Sequence, residues 1–226
     1  MVERAAPAAV GAAVHVSRTL TLPIFPLAGA ILFPRSQLPL HIFEPRYREM
    51  VRDAIDGAGQ IGMIQPLRLD DDNQAPLYGV GCAGEIVGIE ELEDGRFNIV
   101  LLGANRFRLL TEVASDTAYR CASVDIEAFD DSEPGPLSLA ERAEVEREAR
   151  RLGDAMGLAV DWDAVARLDD EMLVNAIAQV APFDAGAKQA LLEQATLEGR
   201  ADLLVQLMQF HRAAVSGGVE IEPTIQ

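Results

Sequence analysis

Lysine, cysteine and histidine are scarce in this chain, and each scarcity closes off a chemistry. The one lysine, Lys188, stands in Gly186-Ala187-Lys188-Gln189 with no G-x-x-x-x-G-K-[ST] loop around it, so a nucleotide's phosphates find no cradle. As a proteolytic base it would need a desolvated site beside a serine, yet it falls on a helical stripe with Ala187, Ala190 and Leu191. Cys82 and Cys121 lie in predicted strands without the close spacing of a metal motif. They read as buried free thiols of a reducing compartment, with an interstrand disulfide as the alternative. His15, His41 and His211 share no metal spacing, and His41, between Leu40 and Ile42, reads as a hydrogen-bonded strand residue. No apolar run approaches the roughly 18 residues that span a bilayer. The alanine-rich first sixteen residues lack leucine and are broken by Pro7 and Gly11, which argues against a secretory signal. A cytoplasmic protein without metal, cofactor or catalytic residues is the expectation.

Negative charge is abundant. The net charge is −17, with 17 acidic and 11 basic side chains over residues 1–127 and 19 against 8 over the rest. Such a surface repels phosphate backbones and anionic leaflets, so neither nucleic acid nor membrane is an expected partner. Arg46, Arg48 and Arg52 are interleaved with Glu44, Glu49 and Asp53, the mark of a solvated helix face. Asp70-Asp71-Asp72-Asn73 lacks the spacing and distal glutamate of a calcium loop. Glu90-Glu91 resembles a glycosidase pair only by chance, since 36 acids guarantee adjacent ones.

Proline punctuates the segment on which the chain is organised, residues 22–55. Pro23, Pro26, Pro34 and Pro39 each remove a backbone donor, so the short extended pieces carrying them should be edge strands or strand ends. At Glu44-Pro45 the pattern changes: proline suits a first helical position, and Tyr47, Met50, Val51, Ala54 and Ile55 recur at helical spacing until Asp56-Gly57. Val80–Leu92 and Phe97–Leu102 flank an Asp94-Gly95 pair, a strong hairpin signal. Glycines 79, 81, 84 and 88 suggest bulges; Gly79-x-Gly81-x-x-Gly84 opens no helix and so is not a dinucleotide fingerprint. Gly103-Ala104-Asn105 should turn the chain between further strands, with another over Tyr119–Glu127. The acidic, proline-rich run after Asp130 reads as a junction, followed by helices. Ser138 and Glu141 form a capping box; Asp169-Asp170-Glu171 opens a helix with Met172, Leu173, Ala176, Ile177 and Val180 on one face; Asp184 caps a third. Leu197, Ala201, Leu204, Leu207, Met208 and His211 line a fourth. The expected layout is a leader over 1–17, a β-barrel unit over 18–130, a linker over 131–137, a helical bundle over 138–215 and a tail over 216–226.

The run P-x-F-P-L-x-G-x-x-L-F-P from Pro23 to Pro34, then L-x-I-F-E-x-R-Y from Leu40 to Tyr47, closely resembles the N-terminal substrate-binding domain of the Lon family of ATP-dependent proteases, with weaker similarity to about Phe210. The resemblance implies an α+β fold: a PUA-like β pseudo-barrel with one inserted helix, followed by a C-terminal helical bundle. It implies a non-catalytic module that recognises unfolded or degron-bearing polypeptides, as an adaptor or holdase, of the stand-alone kind that lacks ATPase and peptidase domains. The pattern departs from the full-length proteases after His211, where Gly217-Gly218 intervenes. Alternative readings are a peptidase-related hydrolase and an RNA-binding PUA-like protein. If the proline-limited strands leave an unpaired edge beside apolar side chains, an extended peptide can dock there with affinity on the order of micromolar. Phe25, Phe33, Phe43, Arg46 and Tyr47 are the residues expected at that surface.

Overall fold

The computed structural model describes residues 18–68, 74–133 and 135–216; the leader, the whole of Asp70-Asp71-Asp72-Asn73 and the tail from 217 onward lie outside them. Six strands and six helices follow one another in the order β1 (Thr19–Pro26), β2 (Gln37–Ile42), α1 (Pro45–Asp56), β3 (Gln60–Ile64), β4 (Val80–Glu91), β5 (Phe97–Val113), β6 (Arg120–Asp125), α2 (Leu139–Met156), α3 (Trp162–Val165), α4 (Asp170–Val180), α5 (Ala185–Leu192) and α6 (Leu197–Ser216). The strands form one mixed sheet ordered β2-β5-β4-β3-β1-β6, with β5 also pairing β6. The first half of β5, from Phe97 to Leu102, pairs β2, while Arg108–Val113 pairs β6. The sheet therefore closes on itself through the far half of β5 and leaves β2 outside the ring. The result is a pseudo-barrel and not a clean barrel.

One of the proline predictions needs refinement. Pro26 ends its strand as expected, but Pro23 lies inside β1, which is not an edge strand, because it lies between β3 and β6. Its pairing is staggered: β6 takes Thr19–Ile24 and β3 takes Ile24–Pro26, so Pro23 and Pro26 each face a single partner and no central ladder loses a donor twice. β2 fits the edge expectation, pairing only β5 among the described residues. The hairpin turns at Gly95, which has φ +76°, and β4 slips register between Cys82 and Gly84 and between Ile86 and Gly88, as the glycine pattern anticipates.

The expected turn at Gly103-Ala104-Asn105 does not exist, since β5 runs unbroken through it. Gly103 is small because the chain crosses it closely: a β carbon there would lie 2.0 Å from the Phe33 carbonyl oxygen. Its backbone exchanges hydrogen bonds with Arg35 and Ser36. Arg35 itself sits at φ 60°, and this kink lets the chain leave the β1–β2 loop and enter β2.

Helix ends follow local chemistry. Pro45 opens α1, and Tyr47, Met50, Val51 and Ala54 are buried, while Ile55, placed on that stripe by spacing, is exposed. The Ser138–Glu141 capping box forms in both directions and a left-handed Gly157 ends α2. Asp169 and Asp184 cap α4 and α5. The buried face of α4 differs from the predicted one: Leu173, Val174, Asn175 and Ala178 point inward, whereas Met172 and Val180 are exposed. A buried polar network rotates the helix, and apolar spacing alone does not reveal it. The thiols are both free, which removes the disulfide alternative; burial pushes the Cys82 thiol far above its ordinary value.

One apolar core runs from the sheet into the helices, joining Phe33, Met50, Ile99 and Leu101 to Val145, Leu173, Leu204 and Met208. A smaller one, Leu22, Ile24, Phe107 and Val124 among others, fills the ring. A seam of buried polar groups fixes sheet to helices. Arg106 of β5 is 2% exposed and meets Asp131 at 2.8 Å; it also donates to the Leu192 carbonyl at 3.0 Å and to that of Gln194. Arg200 of α6 donates to the Asn175 side chain at 2.7 Å and the Leu191 carbonyl, and Asn175 in turn donates to the Pro34 carbonyl. Gln65 and Gln189 complete the seam beside Val80 and Ala185.

Replacing Arg106 by Met strands the Asp131 carboxylate in the interior and should lower unfolding free energy by about 3–5 kcal/mol. The double variant Arg106→Met, Asp131→Leu should recover most of that loss. Urea denaturation followed by circular dichroism measures both; equal losses in single and double variants would show that the pair is not coupled.

Candidate functional site

The five residues proposed from sequence do not share one surface. Phe33 is fully buried beneath the Arg200 guanidinium, 5.4 Å from its ring centre. Phe25 and Tyr47 are 5% and 4% exposed and pack ring to ring at 4.2 Å; burial raises the Tyr47 hydroxyl pKa, opposed by the nearby Arg46. These three are core and cannot touch a peptide, because they supply the apolar mass that holds α1 and the β1–β2 loop on the sheet. Phe43 is 60% exposed. Arg46 is half-buried, lies over the Tyr47 ring at 4.6 Å and pairs with Glu44 at 2.7 Å.

Phe43 and Arg46 flank the end of β2. The strand's side chains alternate, with Leu38, Leu40 and Ile42 inward and Gln37, Pro39 and His41 outward. Continuing that alternation puts Phe43 on the outer row, where its ring stacks 6.3 Å from that of His41. His41 Nδ1 lies 2.7 Å from Asn98 Oδ1, and Asn98 donates to Glu90 at 2.7 Å. On the other side, Arg96 Nη1 lies 3.1 Å from His41 Nε2. Since a guanidinium only donates, neutral His41 accepts at Nε2 and carries its proton on Nδ1. A ladder of polar cross-strand contacts thus stiffens the outer face beneath Phe43.

The backbone of β2 shows which groups its free edge offers. Ser36 directs its carbonyl to Gly103 of β5, whereas the Gln37 carbonyl accepts from the Gln179 side chain of α4 at 2.9 Å. Strand alternation then turns residues 37, 39 and 41 outward. The missing donor of Pro39 falls on this open edge, so no ladder bond within the protein is lost. The same proline blunts the edge against indiscriminate pairing with other sheets. What remains is the His41 N–H, the carbonyls of Pro39 and His41, and the exposed Phe43 ring. Sequence reasoning placed Pro39 on an edge or strand end but left Pro39 and His41 out of the candidate site, although the two-residue period from Gln37 to Phe43 carries that signal.

Other chemistry finds little to work with. Among the described residues no three His, Cys, Asp or Glu side chains gather where a metal ion could bind, and no helix is long and apolar enough to cross a membrane. Lys188 is half-buried and donates to the Gln179 carbonyl at 2.9 Å; burial lowers its pKa.

Comparison with known proteins places this geometry in a family. Residues 21–209 match the model for the substrate-binding domain of the ATP-dependent protease La (LON). Lon protease 2 of Desulfotalea psychrophila is 26% identical over 199 residues, covering 84% of this chain and 25% of that protein. Lon protease 2 of Myxococcus xanthus is 25% identical over 217 residues, covering 91% of this chain and 25% of its own length. This chain thus spans about a quarter of the length of these relatives. The N-terminal domain of a Mycobacterium avium complex Lon protease shares the fold, with TM-score 0.63 at 18% identity over 85% of this chain and 100% of that one. So does a Lon N-terminal domain protein from Xanthomonas campestris, with TM-score 0.63 at 20% identity over 83% and 98%.

The division of the aromatic residues between surface and core is open to test. Phe43→Asp should leave stability within about 0.5 kcal/mol of the parent, whereas Phe33→Ala should cost about 3–5 kcal/mol. Equal midpoints for the two variants in urea would contradict it.

Proposed function

From the premise that this chain belongs to the substrate-binding domain family of the ATP-dependent protease La (LON), we propose that it is a polypeptide-binding module that holds unfolded or degron-bearing chains and carries out no chemistry on them. The family match over residues 21–209 is the observation that carries this reading. The geometry at β2 supports it and narrows it. An extended client adds main-chain hydrogen bonds at His41 and the Pro39 carbonyl, and sets an apolar side chain against Phe43, with Arg46 at the rim. Phe25, Phe33 and Tyr47 act from below, keeping α1 and β2 in register.

A site with so few main-chain partners binds weakly, on the order of micromolar, because the client must be ordered as it docks. Weak, exchanging contact suits an adaptor or holdase in the cytoplasm, which must release what it holds. The net charge of −17 favours basic client segments and opposes nucleic acid.

The test is whether the purified chain suppresses light scattering by reduced, carboxamidomethylated lysozyme, a basic polypeptide that stays unfolded. The reading expects suppression without ATP, with the client intact on a gel, and a loss of about fivefold or more in Phe43→Asp. Client cleavage, or no suppression at any ratio, would overturn it.

A further inference from the structure

A cavity of about 230 Å³ opens at the far end of α1 from Phe43. With twelve residues in the helix, the two places lie about 18 Å apart along its axis. Pro23 and Ala58 give it apolar lining and Thr21, Gln60, Asp53 and Tyr119 polar lining, while Leu20 and Leu22, whose side chains turn into the ring core, border it from β1. The volume is below the roughly 300–1,000 Å³ of small-molecule sites, and suits one aliphatic side chain.

Three features of this cavity point to a cation. The Tyr119 hydroxyl donates to Asp53 Oδ2 at 2.7 Å; burial and that bond hold it protonated, well above its ordinary pKa. Asp53 Oδ1 is left to accept, and no Lys, Arg or His among the described residues pairs with Asp53. The last turn of α1 carries no basic residue, so its carbonyl end, which favours positive charge, is uncompensated. The staggered pairing of β1 adds a fourth feature: β3 meets β1 only from Ile24 onward, so the backbone of Leu20–Pro23 borders the cavity without a partner from that side. A client strand can run along this backbone while one of its side chains enters.

We propose that this cavity receives the side chain of a lysine from an extended polypeptide, its methylene stem against Pro23 and Ala58 and its ammonium on Asp53. The inference rests on the polypeptide-binding reading and names a chemical feature of the client. Lysine fits better than arginine. An ammonium is a compact point charge that needs only Oδ1, whereas a guanidinium fork reaches its full strength only by sharing Oδ2 with the Tyr119 hydroxyl. The apolar walls favour a stem that carries its charge at the tip.

The test titrates Nα-acetyl-lysine N-methylamide into the ¹⁵N-labelled protein. Amide shifts are expected at Thr21, Leu22, Gly57 and Ala58, and none with the norleucine counterpart. Asp53→Asn keeps an acceptor for Tyr119 and should fold normally, yet weaken binding about tenfold. Asp163→Asn removes the same charge from α3 and should change it less than twofold. No shifts with the lysine compound, equal shifts with norleucine, or equal losses in the two variants would overturn the proposal.

A second arm separates it from the parent reading by comparing unfolded lysozyme before and after acetylation of its lysines. Weaker binding of the acetylated form, with the loss abolished in Asp53→Asn, supports the cavity. Equal binding overturns the cavity and leaves the polypeptide reading standing. Binding of neither form overturns the polypeptide reading, and the small-compound titration then judges the cavity alone.

Discussion

A charged guanidinium removed from water needs every one of its donors satisfied, and the position of Arg106 shows how that requirement shapes this molecule. Its partners come from two distant places in the chain: the Asp131 carboxylate after β6 and the carbonyls of Leu192 and Gln194 at the end of α5. No one of them can move without leaving a buried charge uncompensated, a penalty of several kcal/mol. The residues read as a linker after Asp130 are therefore anchored at their start, where Asp131 is 7% exposed. Arg200, Asn175 and Pro34 extend the same logic to α4, α6 and the β1–β2 loop. Apolar packing could tolerate many relative placements of sheet and helices; the polar seam selects one.

That placement decides what is left open. With α4 to α6 fastened over the Pro34 loop, Gln179 reaches the first carbonyl of β2 and no farther. The rest of the edge stays uncovered down to Phe43. The prolines serve both needs at once: in β1 they fall where only one neighbour pairs, and in β2 Pro39 faces outward, where its missing donor weakens the edge as a template for aggregation. An uncovered edge that must not nucleate sheets benefits from being interrupted.

Much of this was legible in the sequence because its causes are local. Pro45 fixes where α1 starts, Asp94-Gly95 fixes the hairpin, and Ser138 with Glu141 fixes the start of α2, each within a few residues. What was not legible depends on distant contacts. Gly103 looks like a turn glycine, and only the approach of the Phe33 carbonyl, seventy positions earlier, explains it. Phe25, Phe33 and Phe43 are alike in a sequence of aromatic and proline residues; burial separates them once α1 and α6 close over the first two. The rotation of α4 follows from Asn175 serving the seam, which hydrophobic spacing does not encode. Asp53 and Tyr119 are 66 positions apart, and neither carries a motif.

The central claim is that an extended chain docks along the outer edge of β2 and against Phe43 while the polar seam holds the scaffold still. Hydrogen exchange with and without a saturating unfolded client tests it most directly. The account predicts slower exchange at the His41 and Phe43 amides and unchanged exchange in β5, α4 and α6. Protection confined to the helical layer, with the β2 edge exchanging as fast as in the free protein, would contradict it.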